Sequence, residues 1–234
     1  MLMHPSLENL PRDIELMKLI SINCGMPRSI MWHGWTATTA IYKEPVRGRI
    51  ALRTLNLDGD RQADPSVHGG KDKAVYCYPV VHYDYWKTEL PGRDLSMGTF
   101  GENFTVEGLL EDSTFIGDRF SVGSAEVIVT QPRLPCYKLG VRFESDDMVK
   151  RFLASRYTGF YLAVAQEGDV GAGDEITLIS RESNSVLVSD ITHLYTTKKY
   201  ESEDVALLRR APGVRALPDS WKEYFRERLQ GTSA

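Results

Sequence analysis

The chain is poor in the residue types that announce the commonest sites. Cysteine occurs three times in 234 residues, at Cys24, Cys77 and Cys136, an odd set without a C-x-x-C pair. That pattern supports neither a disulfide framework nor a four-thiolate zinc or iron–sulfur cluster. Among the five histidines, His33, His82 and His193 lack the His-Glu-x-x-His spacing of a zinc site. No G-x-S-x-G elbow, helix-opening G-x-G-x-x-G or Walker loop is present, so a hydrolase nucleophile, a flavin or dinucleotide fingerprint and a P-loop are unsupported. Positive charge is not in excess: 28 Lys and Arg against 32 Asp and Glu leave a net charge of −4. The global electrostatic argument for nucleic acid is therefore missing. No apolar run approaches the roughly 18–20 residues that span a bilayer. The opening MLMHPSLENLPR lacks the charged-then-apolar order of a signal peptide. The expected setting is a reducing cytoplasm, with no membrane and no nucleic acid as partner.

What the chain does have is an ordinary globular composition, 42% apolar and 26% charged, over a length ample for a real core. Residues 14–24 read as a strand. A hairpin is expected around His33-Gly34 and another strand over 46–52. The stretch 55–74 is a long polar, glycine-containing loop, a kind that is usually functional or disordered. Pro79, Tyr83, Trp86 and Leu90 fall on one helix face. Two short strands flank Ser124, a helix capped by Ser145 is expected over 145–154, and strands over 160–166 and 174–181 enclose the turn-rich EGDVGAGD. From residue 183 the composition turns helical, with Glu203–Arg210 and Pro218–Leu229 separated by Pro212-Gly213. These signs predict a mainly β fold with helices, of the barrel or sandwich kind, over 1–182, and a small helical domain over 183–234. The tail is too short to stand alone. Trp221, Tyr224 and Phe225 would pack it on the barrel or, equally, on a second copy in a homodimer.

Three polar segments carry possible chemistry. His68-Gly69-Gly70-Lys71-Asp72-Lys73 combines glycines, which let backbone N–H groups approach an anion, with two lysines and a histidine. Gly101-Glu102-Asn103 offers a carboxylate and an amide, the donors and acceptors that a purine- or pterin-like edge requires. Gln131-Pro132-Arg133-Leu134-Pro135-Cys136-Tyr137-Lys138 places a soft sulfur after two stiffening prolines and between two cations suited to stabilise a thiolate. Each segment alone is an ordinary turn or a structural cysteine more often than a site.

Together, HGGKDKAVY, FGEN and QPRLPCYKL, in this order, resemble the MOSC domain family. This module is shared by molybdenum cofactor sulfurases and the mitochondrial amidoxime-reducing component. IYKEPVRGRIALRTLNLDGDRQAD, LAVAQEGDVGAGDEITLI and the helical tail are similar to its stand-alone bacterial, YiiM-like branch. The resemblance covers roughly residues 17–230. It implies a MOSC-type β-barrel followed by a three-helix domain, and a bound molybdenum cofactor (molybdopterin) with Cys136 as the protein ligand to molybdenum. It further implies Arg133 and Lys73 beside Cys136 as catalytic residues. His68, Gly69, Gly70, Asp72, Lys73, Gly101, Glu102, Asn103, Gln131 and Arg133 would line the pocket, with Arg61 and Arg47 toward the cofactor phosphate. The implied activity is reduction of N-hydroxylated compounds such as 6-hydroxylaminopurine, hydroxylamines and amidoximes. Electrons would come from a separate reductase or ferredoxin-like protein, with no pyridoxal phosphate, flavin or iron–sulfur cluster in this chain. The alternative is a carrier of the cofactor, or of sulfur as a Cys136 persulfide.

Overall fold

The computed structural model describes residues 17–64 and 69–231. Its strands are β1 (Lys18–Cys24), β2 (Arg28–Trp32), β3 (Trp35–Thr39), β4 (Glu44–Pro45), β5 (Arg49–Leu52), β6 (Val75–Pro79), β7 (Phe104–Glu107), β8 (Arg119–Val122), β9 (Ala125–Pro132), β10 (Phe160–Gln166), β11 (Gly168–Gly171) and β12 (Ile176–Ser180). Its helices are α1 (His82–Glu89), α2 (Tyr137–Phe143), α3 (Met148–Ser155), α4 (Val188–Thr196), α5 (Ser202–Arg210) and α6 (Asp219–Gly231). Eight strands form one sheet in the order β12-β8-β9-β10-β6-β7-β1-β4. Only β6 and β7 run parallel among these neighbours, and α1 lies in the crossover that parallel pairing demands. The sheet curls until its far strands meet. Leu19 N–H donates to the Asp174 carbonyl at 2.9 Å, Gly173 N–H to Leu19 at 2.7 Å and Ile176 N–H to Met17 at 2.8 Å. This seam is an isolated bridge, Lys18 to Glu175. The expected barrel is therefore a curled sheet whose ladder is not continuous around its circumference.

Several elements differ from the sequence reading for identifiable reasons. The helix face drawn through Pro79 is cut short: residues 75–79 are β6, and the helix starts at His82. All five residues of β6 are buried, with Val75 and Cys77 in one core cluster and Tyr76 and Tyr78 in another. A strand covered on both faces shows no alternation in sequence. The glycine-rich turn after β10 contains β11, which pairs with β5. Glycine is required there because a Cβ on Gly168 would lie 2.5 Å from the Ser124 carbonyl carbon. Ser145 does not cap the following helix. Its N–H instead donates to the Gly140 carbonyl at 3.0 Å, completing the end of α2 after left-handed Glu144. That moves the start of α3 to Met148 and reveals α2, a helix absent from the sequence reading. The expected strand residues 14–16 lie outside the described residues.

The tail helices share the main core. Val188, Ile191, Leu194, Leu208, Leu217, Trp221 and Phe225 belong to the same buried cluster as Leu19, Val106, Val129 and Phe160. Trp221 donates its indole N–H to Gln131 Oε1 of β9 at 2.9 Å. Trp221 and Phe225, expected above to pack on the barrel or on a second copy, are buried in their own chain, at 7% and 0% exposure. Because Phe225 fills a shared core, Phe225→Ala is expected to cost about 3–5 kcal/mol. Urea unfolding should remain one transition at a lower midpoint. A separate early transition confined to α4–α6 would contradict the shared core.

Candidate functional site

Three chain segments converge at one end of the curled sheet. A single 3-10 turn, Lys71–Lys73, leads into β6, and Gly70 before it has φ of 91°, which glycine adopts without strain. β9 ends at Pro132, and the Arg133 N–H donates to the Gly159 carbonyl at 3.0 Å, fixing the exit of the chain. Leu134 and Pro135 then bring Cys136 to the start of α2 in an extended conformation, where its carbonyl accepts from Leu139 N–H at 2.9 Å. The third segment is the turn before β7. A Cβ at Gly101 would meet Ile41 Cγ1 at 2.7 Å, and φ there is 84°. Only glycine lets this turn close against Ile41.

Between these segments is an open cleft. Lys73, Arg133 and Cys136 line it together, with Gly101, Asn103, Arg61, Lys43, Asp60, Lys138, Tyr76 and Tyr161. Its cations far outnumber its one carboxylate, in a protein whose net charge is −4. Arg133 is the innermost of them, 6% exposed, with its guanidinium carbon 5.0 Å from the Tyr76 ring centroid and 5.1 Å from that of Phe152. Its Nη1 is buried and makes no hydrogen bond among the described residues. A buried charged donor left unpaired costs upward of about 1–3 kcal/mol, so this nitrogen is suited to an anion entering the cleft. Burial lowers the Lys73 pKa from the usual lysine value, partly offset by Asp72. Burial raises the phenols of Tyr76 and Tyr161, against the opposing effect of Arg133, so both remain protonated at neutral pH.

Other expected residues have different roles. The Glu102 carboxylate faces inward, fully buried, and accepts from Tyr83 Oη, Gly98 N–H at 2.8 Å, Phe100 N–H at 3.1 Å and Thr105 Oγ1 at 3.0 Å. It braces the turn and has no free edge for a ligand; burial holds it above the usual carboxylate range against those hydrogen bonds. The Asn103 side chain lines the cleft but bonds Tyr76 N–H, the Asn23 carbonyl and Asp60. Gln131 joins Trp221 to the Asp72 carbonyl and faces a neighbouring cleft. Gly69, Gly70 and Asp72 shape the turn before β6 without lining the main cleft. Arg47 is exposed between β4 and β5, away from the cleft. His68 lies outside the described residues. Of the other cysteines, Cys77 is sealed in the core, and Cys24 is pushed up to about 11, chiefly by burial and then by Asp60.

The sequence reading missed Asp60 and Lys43. Asp60, 3% exposed, pairs with the Lys43 ammonium and accepts from Gly25 N–H at 2.8 Å and Asn103 Nδ2 at 2.9 Å. It ties the polar loop to β1 and β7 and so builds one wall of the cleft. Nothing in LNLDGDRQ distinguishes this buried aspartate from its exposed neighbour Asp58. Lys43→Met strips the counter-charge from a buried carboxylate and is expected to cost about 3–5 kcal/mol. Adding Asp60→Asn should recover most of that loss in thermal unfolding. Additive losses in the double variant would contradict the pairing.

Among the described residues, no three His, Cys, Asp or Glu side chains gather to hold an ion. A single thiol beside a guanidinium that has one nitrogen unpartnered among the described residues suits instead a metal that arrives with ligands and anionic groups of its own. Comparison with known proteins fits this geometry. A model of the MOSC domain matches residues 64–177. The chain is 37% identical to YflK of Bacillus subtilis (strain 168) over 90% of this chain and 94% of that one. It is 35% identical to YiiM of Escherichia coli (strain K12) over 81% of this chain and 84% of that one. A protein named "Reductase" from Gibberella moniliformis (strain M3125 / FGSC 7600) is 29% identical over 84% of this chain, which spans 35% of that protein. The crystal structure of YiiM from Geobacillus stearothermophilus superposes with a TM-score of 0.75 at 33% identity, covering 91% of this chain and 99% of that one. With the cleft formed by the same segments that carry the sequence motifs, the chain belongs to the MOSC domain family.

Proposed function

We propose that this protein is an oxidoreductase that binds the molybdenum cofactor in the cleft, with Cys136 as the protein ligand to molybdenum, and reduces N-hydroxylated compounds to amines. The observation that carries this reading is the buried Arg133 Nη1, without a hydrogen-bond partner among the described residues, in a cleft that also presents a thiol. The MOSC family is associated with that cofactor, and one relative carries the name "Reductase". When bound, the cofactor supplies the two-electron chemistry. The reaction consumes two electrons and two protons: the N–O bond breaks, the nitrogen leaves as amine and the oxygen as water.

The chain's own residues supply the rest. Cys136 is aimed by the two prolines before it and by the helix that begins after it. Arg133, Lys138 and Arg61, which line the cleft, would hold anionic groups of the cofactor there. Lys73 delivers a proton to the departing oxygen, a role to which its burial-lowered pKa suits it. Electrons come from a separate reductase or ferredoxin-like protein. The carrier reading is less well supported, because a second cleft opens beside Cys136 and leaves room for a substrate.

Two measurements test these roles. Cys136→Ala should abolish benzamidoxime reduction with a chemical reductant, and full turnover by that variant would remove the reading. A protonated Lys73 is active below its pKa, so kcat/KM should fall as pH rises through a value below that of an ordinary lysine. Lys73→Met should lower the rate by about 10²-fold and flatten that alkaline limb. An unchanged pH profile in the variant would assign the proton to another group.

A further inference from the structure

A second cleft, of about 400 Å³, opens beside the contact between the end of β9 and the tail helices. It shares Lys73, Cys136 and Tyr161 with the first, so the thiol stands where the two meet. The chemistry of its walls is different. Among the described residues Lys73 is its only charged lining residue, and the far wall is aromatic: Tyr195 of α4 with Trp221 and Tyr224 of α6. Leu134 and Pro135 form the opposite, apolar side.

The aromatic wall is held in place before any ligand arrives. Tyr195 and Trp221 meet edge to face at 5.6 Å and 71°, and Trp221 and Tyr224 do so at 6.0 Å and 84°. The Trp221 indole N–H is already given to Gln131, and the Arg228 guanidinium lies 5.0 Å from the Tyr224 ring centroid. What the wall offers a ligand is chiefly the exposed ring of Tyr195 and the half-buried ring of Tyr224, with the nearly buried Trp221 behind them. Such a wall recognises a flat, uncharged aromatic ring and ranks ligands by stacking area.

We infer that this second cleft is the substrate subsite: it takes the planar aromatic ring of an N-hydroxylated compound against Tyr195, Trp221 and Tyr224 and directs the N–OH group toward Cys136 and Lys73. The inference rests on the reductase reading above and adds to it a recognition surface supplied by the helical tail. The division of labour follows the charge. The cleft rich in cations holds the anionic cofactor, the mainly aromatic cleft with Lys73 at its junction holds the substrate, and the reacting atoms meet where the two share residues.

Binding to the cofactor-free protein separates this inference from the catalytic one. Calorimetric titration with benzamidoxime and with acetamidoxime, which has the same N–OH group and no ring, measures how strongly the ring is preferred. Tyr195→Ala and Tyr224→Ala should each reduce that preference by about fivefold to tenfold. Tyr195→Phe and Tyr224→Phe keep the ring and should retain it. An unchanged preference in the alanine variants, or an equal loss of both ligands, would overturn the subsite. Ring-dependent binding in a protein that never reduces benzamidoxime would sink the catalytic reading and leave the subsite standing. Reduction that is indifferent to both tyrosines, with ring preference unaltered, would do the reverse.

Discussion

One guanidinium organises this molecule. Arg133 is buried between aromatic rings and has a nitrogen without a hydrogen-bond partner among the described residues. Such a group is costly in isolation and favourable when an anion meets it. Its position is not adjustable. β9 pairs with β10 up to Pro132, and the next peptide is tied to Gly159, where a Cβ would lie 2.4 Å from the Cys77 carbonyl oxygen. From that anchor Leu134 and Pro135 lead to Cys136, so sulfur and charge are set by one rigid passage of chain.

The surrounding architecture supports that passage from two sides. β6 is covered on both faces, by the interior of the curled sheet and by the aromatic cluster of Tyr78, Trp86, Phe100 and Phe152. Its leading end therefore presents Lys73 at a fixed place. The Asp60 cluster anchors the polar loop opposite, and the tail helices press Trp221 against Gln131. A cationic cleft and an aromatic one result, meeting at Cys136 and Lys73.

The sequence made part of this legible. Cys136, Arg133 and Lys73 were singled out by the resemblance of their segments rather than by local chemistry alone, and the fold brings the three to one cleft. Gly101 was legible as a turn glycine. Glu102 misled because its composition is that of a ligand-binding carboxylate, while its acceptors are consumed by Tyr83, Thr105 and backbone of its own turn. Asp60 and Lys43 stayed hidden because burial of a charged residue in a polar loop leaves no periodic trace. Among the elements, α2 and β11 were missed for related reasons: α2 follows a proline-rich approach, and β11 contains the glycines that its close contact with Ser124 requires. The strands with clear alternation, such as Arg119–Val122 and the start of Ala125–Pro132, were found.

The central claim is that the thiol of Cys136 and the charge of Arg133 together retain a molybdenum-bearing anion. Metal analysis tests it most directly, on protein purified from a host with an intact cofactor pathway. The account predicts stoichiometric molybdenum in the wild-type protein, a trace in Cys136→Ala and a marked reduction in Arg133→Met. Wild-type protein without molybdenum, or both variants loaded as fully as wild type, would contradict it.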